Sequence, residues 1–382
     1  MSKPFPGIFA YGRFPVFLVS LSGGGFRAAL YHAGVMRSLH EAGIVVFDCR
    51  SHKVFVNAVS GGAIPALIWD CYLRSNVADS LWPEKTLLDL VTSVPRFGGR
   101  YNWKIRTTRS WFNYLAKWWQ RNAPAKVKEE SDTITLVQVL DYLTGGIFVL
   151  CGTSMCEPDR EFFKTGDSRN RTISNNDTRI SIVPFHIAQA TAFPGYFPRW
   201  QVAIGSSGKK YELLDAGLVD NLAAYAFLPF FVPEGPAGPI QDGSVWFRSN
   251  AGAELLVPRN AVSLPWATKV ARLSVLDRLF RYTGDLAQPI YENLITSLVW
   301  HHTNLQVTGA RIGVLPHKEV SWHVTPRFPD PESAARMPTA LARTARDDAI
   351  AVMLQGAQTA SVALQLPIPA REKIKASLMS LR

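Results

Sequence analysis

The chain has 382 residues, with 41 Lys and Arg against 30 Asp and Glu, and a formal charge of +11. Hydrophobic residues make up 47% and charged residues only 19%, which excludes a mainly disordered or collagen-like chain; at this length no disulfide or metal staple is required. The positive balance leaves three anionic partners open: nucleic acid, a membrane surface or a small substrate.

Residues 1–13 read as an N-terminal extension without a basic region, apolar core and cleavage site. The apolar stretch Phe14 to Leu21 is interrupted by Pro15 and falls short of the ~20 residues needed to span a bilayer. The expectation is a soluble protein made in the cytoplasm. Of Cys49, Cys71, Cys151 and Cys156, only the last two are close, and they lack the second pair a zinc site needs. Reduced thiols are expected, with no metal and no cofactor.

Val16 to Leu21 is a short run of strand formers stopped by Gly23, Gly24 and Gly25. Phe26, Leu30, Ala33, Met36 and Leu39 then share one helical face up to Gly43. A second strand, Val54 to Val59, stops at Ser60-Gly61-Gly62, and apolar helical residues resume at Ala63. Apolar strands each followed by a helix indicate an α/β fold with a mostly parallel sheet covered on both faces. Later strand candidates are Ile147 to Leu150, Tyr211 to Leu214 and Val245 to Phe247. Residues 229–243 read as a Pro/Gly loop, and the pattern from about Trp266 onward is mostly helical.

Both glycine-rich turns suit anion chemistry. Gly23, Gly24 and Gly25 at a helix start would expose several backbone N–H donors to one anion, as an oxyanion hole requires. Arg27 follows closely enough to hold a substrate phosphate. A dinucleotide site is the alternative, since Gly23-x-Gly25-x-x-Ala28 is similar to that fingerprint and Asp48 falls near the place of its ribose-binding acid. In the second turn Ser60 would be lifted clear of the sheet by a sharp bend, with Gly61 and Gly62 allowing close approach; a serine N-cap is the alternative. A third motif, Leu213-Leu214-Asp215-Ala216-Gly217, delivers an aspartate into a tight turn, where Leu213, Leu214 and Leu218 would raise its pKa. Taken alone, it is also an ordinary turn-forming Asp.

Together these motifs resemble the patatin-like phospholipases over about residues 14 to 250. The family's oxyanion segment matches Ser22-Gly23-Gly24-Gly25-Phe26-Arg27-Ala28, which is also similar to that of cytosolic phospholipase A2. Its serine elbow matches Ala58-Val59-Ser60-Gly61-Gly62, and its aspartate turn Asp215-Ala216-Gly217. Thr191 to Pro198 is similar to the segment preceding that turn. Ser22, Ala28 and Ala58 depart from the family's Asp, Gly and Gly. The resemblance implies a three-layer α/β/α fold and a lipid acyl hydrolase cleaving phospholipid esters. It also implies a Ser60–Asp215 dyad without histidine and an oxyanion hole from Gly23, Gly24 and Gly25. A Ser–Asp–His triad using His301, His302, His317 or His323 is the enzymatic rival, and a catalytically silent membrane- or ligand-binding module the non-enzymatic one. Residues 251–382, expected to pack on the catalytic domain, leave room for a small-molecule or protein activator, as in regulated membrane-degrading effectors.

Residues 96–128 contain nine Lys and Arg, no Asp or Glu, and four of the eleven Trp. Trp111, Phe112, Leu115, Trp118 and Trp119 would form one aromatic stripe on a helix. Such a basic, Trp-rich helix suits peripheral contact with an anionic membrane; packing on the protein's own core is the alternative. No nucleic-acid-binding motif accompanies the charge.

Overall fold

A computed structural model of the chain describes residues 15–48, 53–94, 108–125, 133–141, 147–151, 163–164, 182–193, 200–204, 209–227, 241–252, 305–312, 314, 322, 337, 341 and 343–382. The extension over 1–13, the 229–240 part of the loop and the four late histidines lie outside these residues.

Strand β1 (Val16–Leu21) leads into α1 (Gly25–Glu41), and β2 (Lys53–Val59) into α2 (Ala63–Leu73). Helices α3 (Trp82–Ser93) and α4 (Thr108–Asn122) follow, and then β3 (Thr133–Asp141), β4 (Ile147–Cys151) and β5 (Phe163–Lys164). Helix α5 (Ile182–Ala190) precedes β6 (Trp200–Ile204), β7 (Lys209–Asp215) and β8 (Ser244–Asn250). The described chain ends with β9 (Leu305–Arg311), α6 (Arg346–Ala363) and α7 (Ile368–Met379). Neighbours β3, β2, β1, β8 and β9 run parallel, as the apolar strand-and-helix units indicate. Beyond them β4, β5, β6 and β7 pair antiparallel, so the sheet is mixed.

Both faces of the central strands are dry. Phe17, Val19 and Leu21 of β1, with Val54, Val56 and Ala58 of β2, join a core shared with α1 to α6, while Leu18 and Phe55 on the other face are equally buried. Helices α1 and α6 approach so closely that a Cβ at Gly34 would run into the Met353 carbonyl, and one at Gly356 into that of Tyr31. Helix α6 is therefore packed on the first helix. The C-terminal region also supplies β9 to the sheet, so a mostly helical reading of residues 251–382 misses a strand, and the sheet continues across residue 250.

The aromatic stripe of α4 requires a correction. Trp111, Leu115, Trp118 and Trp119 are all buried, with exposures of 2% or less, and Phe112 is partly buried against the same core. Their polar edges are satisfied inside: the Trp111 indole N–H donates to Thr191 Oγ1 at 3.0 Å, and that of Trp118 to the Thr86 carbonyl at 3.2 Å. An indole at a membrane boundary keeps its N–H wet; these face α3 and the end of α5. The stripe fills the gap between those two helices, and only the opposite face, with Lys117 and Arg121, is exposed. Among the described residues no helix is long and apolar enough to cross a membrane. Replacing Trp118 with Ala is expected to lower the unfolding free energy by about 3–5 kcal/mol in urea titrations, with binding to anionic vesicles unchanged. Wild-type stability combined with weakened vesicle binding would restore the membrane role.

Candidate active site

The site lies at the carboxyl ends of the parallel strands, where two turns close on each other. After β2, Ser60 opens a 3-10 turn that runs straight into α2. Its φ of 52° lies in the left-handed region, which for a non-glycine residue costs about 1–3 kcal/mol and gives the sharp bend that a nucleophile elbow would require. Gly61 and Gly62 serve close packing. A Cβ at Gly61 would run into the Gly25 carbonyl, and one at Gly62 would lie 2.6 Å from the Ser22 carbonyl oxygen. The serine turn thus rests backbone to backbone on the first glycine turn.

In that first turn Gly24 and Gly25 have φ of 138° and 58°, values that favour glycine. Gly23 serves proximity: a Cβ there would lie 3.0 Å from Ser60 Cβ and would strike Asn221 Oδ1. The expectation of three free N–H donors needs revision, because the Gly23 N–H donates to the Asn221 carbonyl at 2.9 Å. Gly24 and Gly25 remain as donors at the start of α1, where the first intrahelical bond is from Ala28 N–H to the Gly24 carbonyl and no side chain caps the end. Arg27 also departs from expectation. It is 5% exposed and its Nη1 donates to the Met337 carbonyl at 3.1 Å, so its guanidinium is turned inward instead of standing open for a substrate phosphate.

Asp215 ends β7 and is 1% exposed. Ser60 Oγ donates to Asp215 Oδ2 at 2.5 Å, and Asp215 Oδ1 accepts the Gly217 N–H at 2.8 Å. Burial pushes the carboxyl up to about 7, against the opposing pull of the Ser60 and Gly217 hydrogen bonds. Leu213 and Leu214 are buried beside it as their sequence implied. Among the described residues no histidine bonds to Ser60 or Asp215.

The loop after Asp215 is held from the sheet. The Ala223 carbonyl, on a residue with φ of 55°, accepts Asn57 Nδ2 at 2.5 Å and Ser20 Oγ at 3.0 Å. Asp220 Oδ2 accepts the Tyr225 N–H at 2.6 Å. Sequence reasoning singled out none of these residues, nor Asn221. The signal available was two polar residues, Ser20 and Asn57, inside otherwise apolar strands.

The dinucleotide alternative fails on placement. Asp48 is exposed and precedes β2, whereas a ribose-binding acid belongs at a strand's carboxyl end. A family model, Patatin-like phospholipase, matches residues 19–228.

The chain belongs to the patatin-like phospholipase family.

No curated protein sequence matches the chain. The solved structures that are similar in part include two of one human protein. Human GIVD cytosolic phospholipase A2 has 11% identity and a TM-score of 0.39, covering 96% of this chain and 61% of that one. The same human protein with methyl gamma-linolenyl fluorophosphonate and terbium chloride has 10% identity and a TM-score of 0.32, covering 95% and 60%. The patatin-like chain therefore spans about three fifths of the length of these structures.

The buried carboxyl links site and stability. An aspartate in an unfolded chain titrates near 3.9, well below the value of about 7 for folded Asp215. Between these values the folded protein keeps a proton that the unfolded chain has released. Stability contributed by this group is therefore present at low pH, falls as pH rises from about 4 to about 7, and stays low above. Asp215→Asn, which keeps an oxygen for the Gly217 N–H, should be more stable than wild type at pH 8 by about 2–4 kcal/mol and nearly equal at pH 4. Denaturation at both pH values checks this; an identical gap at each would mean that Asp215 is not the titrating group.

Proposed function

We propose that the protein is a lipid acyl hydrolase that cleaves carboxylic ester bonds of phospholipids through an acyl-enzyme on Ser60. The observation that carries this reading is the direct 2.5 Å hydrogen bond from Ser60 to the buried Asp215, in a chain of this family. Asp215 takes the serine proton as Oγ attacks the ester carbonyl, and returns it to the departing alcohol. Water then attacks the acyl carbon as Asp215 takes its proton, the bond to Ser60 Oγ breaks to release the fatty acid, and Asp215 returns the proton to Oγ. A carboxylate near its usual pKa is a weak base, and burial makes this one a better match to neutral pH. Negative charge developing on the carbonyl oxygen is assigned to the Gly24 and Gly25 N–H groups, at the positive end of α1.

We assign the catalytic unit to residues 14–250 together with the C-terminal helices that pack on α1. An anionic membrane surface is the proposed partner, reached through charge. Residues 96–128 carry +9 of the net +11, and Lys117 and Arg121 are exposed on α4, although Arg121 also lies 3.6 Å from Asp89. Each basic residue close to such a surface contributes about 1 kcal/mol, screened by salt.

Mixed phospholipid vesicles incubated with the protein should release free fatty acid and lysophospholipid, read by mass spectrometry. Ser60→Ala should abolish the release while keeping the fold, and full activity in that variant would overturn the proposal. Because only ionised Asp215 accepts the proton, kcat/KM should decline tenfold per unit on the acid side of about pH 7. A flat profile down to pH 5 would remove Asp215 as the base.

A further inference from the structure

His32 lies in the second turn of α1 and is fully buried. Its Nε2 is 2.9 Å from the Ser22 carbonyl oxygen, and its Nδ1 is 2.9 Å from Ser249 Oγ at the end of β8. A carbonyl oxygen can only accept, so Nε2 carries the ring proton. Nδ1 is then an acceptor, and the Ser249 hydroxyl must be its donor. Burial lowers the imidazole pKa to about 3, so this neutral tautomer persists throughout the working range.

The carbonyl that His32 holds belongs to the same peptide plane as the Gly23 N–H, which is held from the other side by the Asn221 carbonyl at 2.9 Å. Because a peptide unit is planar, fixing both ends fixes its orientation. The next N–H groups along the chain are those of Gly24 and Gly25, both at positive φ, where glycine by itself imposes little rigidity. Ser22 is further tied to β8: its N–H donates to the Ser249 carbonyl at 3.1 Å, and its Oγ accepts the Ala251 N–H at 2.7 Å.

We infer that His32 is a positioning residue for the oxyanion turn, aiming the Gly24 and Gly25 N–H groups through the Ser22–Gly23 peptide, with Ser249 selecting its tautomer. This rests on the hydrolase reading above. It assigns a part of the transition-state binding to a side chain that never touches substrate, and explains a buried imidazole with two polar partners directly behind the turn.

The test compares a p-nitrophenyl fatty-acid ester with its thionoester, in which sulfur replaces the carbonyl oxygen and accepts hydrogen bonds poorly. An oxyanion donor contributes roughly 10²–10³ in kcat, so the wild type should strongly prefer the oxo substrate. His32→Gln is expected to lower kcat for the oxo ester at least tenfold, to leave KM within twofold, and to shrink the oxo/thiono ratio. The acid limb of the pH profile should stay in place, since Asp215 is not disturbed. Ser249→Ala should move kcat and the ratio in the same direction by a smaller factor, and Ser249→Thr, which keeps the hydroxyl, should restore them. If His32→Gln does not fold, the Ser249 pair carries the test. An unchanged oxo/thiono ratio alongside a lower kcat would reduce His32 to a structural role and overturn the inference. A wild type with no Ser60-dependent esterase activity would overturn the hydrolase reading as well.

Discussion

Strand β3 is the ruler on which the site is measured. Along its length β2 pairs parallel as far as Val59 opposite Gln138, and β7 takes over antiparallel with Asp215 opposite Val139. Ser60 is the next residue after Val59. One continuous backbone therefore places the end of β2 and the end of β7 on adjacent rungs, and the 2.5 Å contact between Ser60 and Asp215 follows from sheet register. A slip of one residue in either pairing would turn one of these side chains to the opposite face.

The local conformations at this junction are individually unfavourable. Ser60 and Ala223 both have left-handed backbone, and Asp215 is a carboxyl removed from water. Each persists because its surroundings over-determine it. Ser60 is trapped between β2 and a turn that leaves no room for a Cβ at Gly61; Ala223 is held by Ser20 and Asn57 from two neighbouring strands. Asn221 joins the two halves, with its backbone carbonyl on the first glycine turn and its side chain between Gly23 and Gly217. The aspartate turn and the glycine turn therefore cannot move independently.

The tryptophans of α4 and the positive charge around them have separate roles. An aromatic stripe on a basic helix has the same spacing whether it faces lipid or protein. What distinguishes the cases is where the indole N–H groups go, and here Trp111 and Trp118 find Thr191 and Thr86 inside the fold. Lys117 and Arg121 lie on the opposite, exposed side of the helix.

By itself the sequence determined the strand–turn–helix units, the parallel centre of the sheet, and the identity of the serine, glycine and aspartate turns. Each is written locally, in apolar runs, in glycines at the turns, and in a polar residue delivered at a strand's end. It left β3 unmarked among the strand candidates, although Thr133 to Asp141 is rich in strand formers, and it left β9 hidden in a region read as helical. Only the tertiary structure decided which glycine N–H groups remain available, that Arg27 faces Met337, that α4 turns its tryptophans inward, and that His32 sits behind the turn. These are outcomes of long-range pairing: the partner of Gly23 is 198 residues away in Asn221 and that of Arg27 is 310 away. A local pattern can say which groups need partners, but the folded sheet decides which partners they meet.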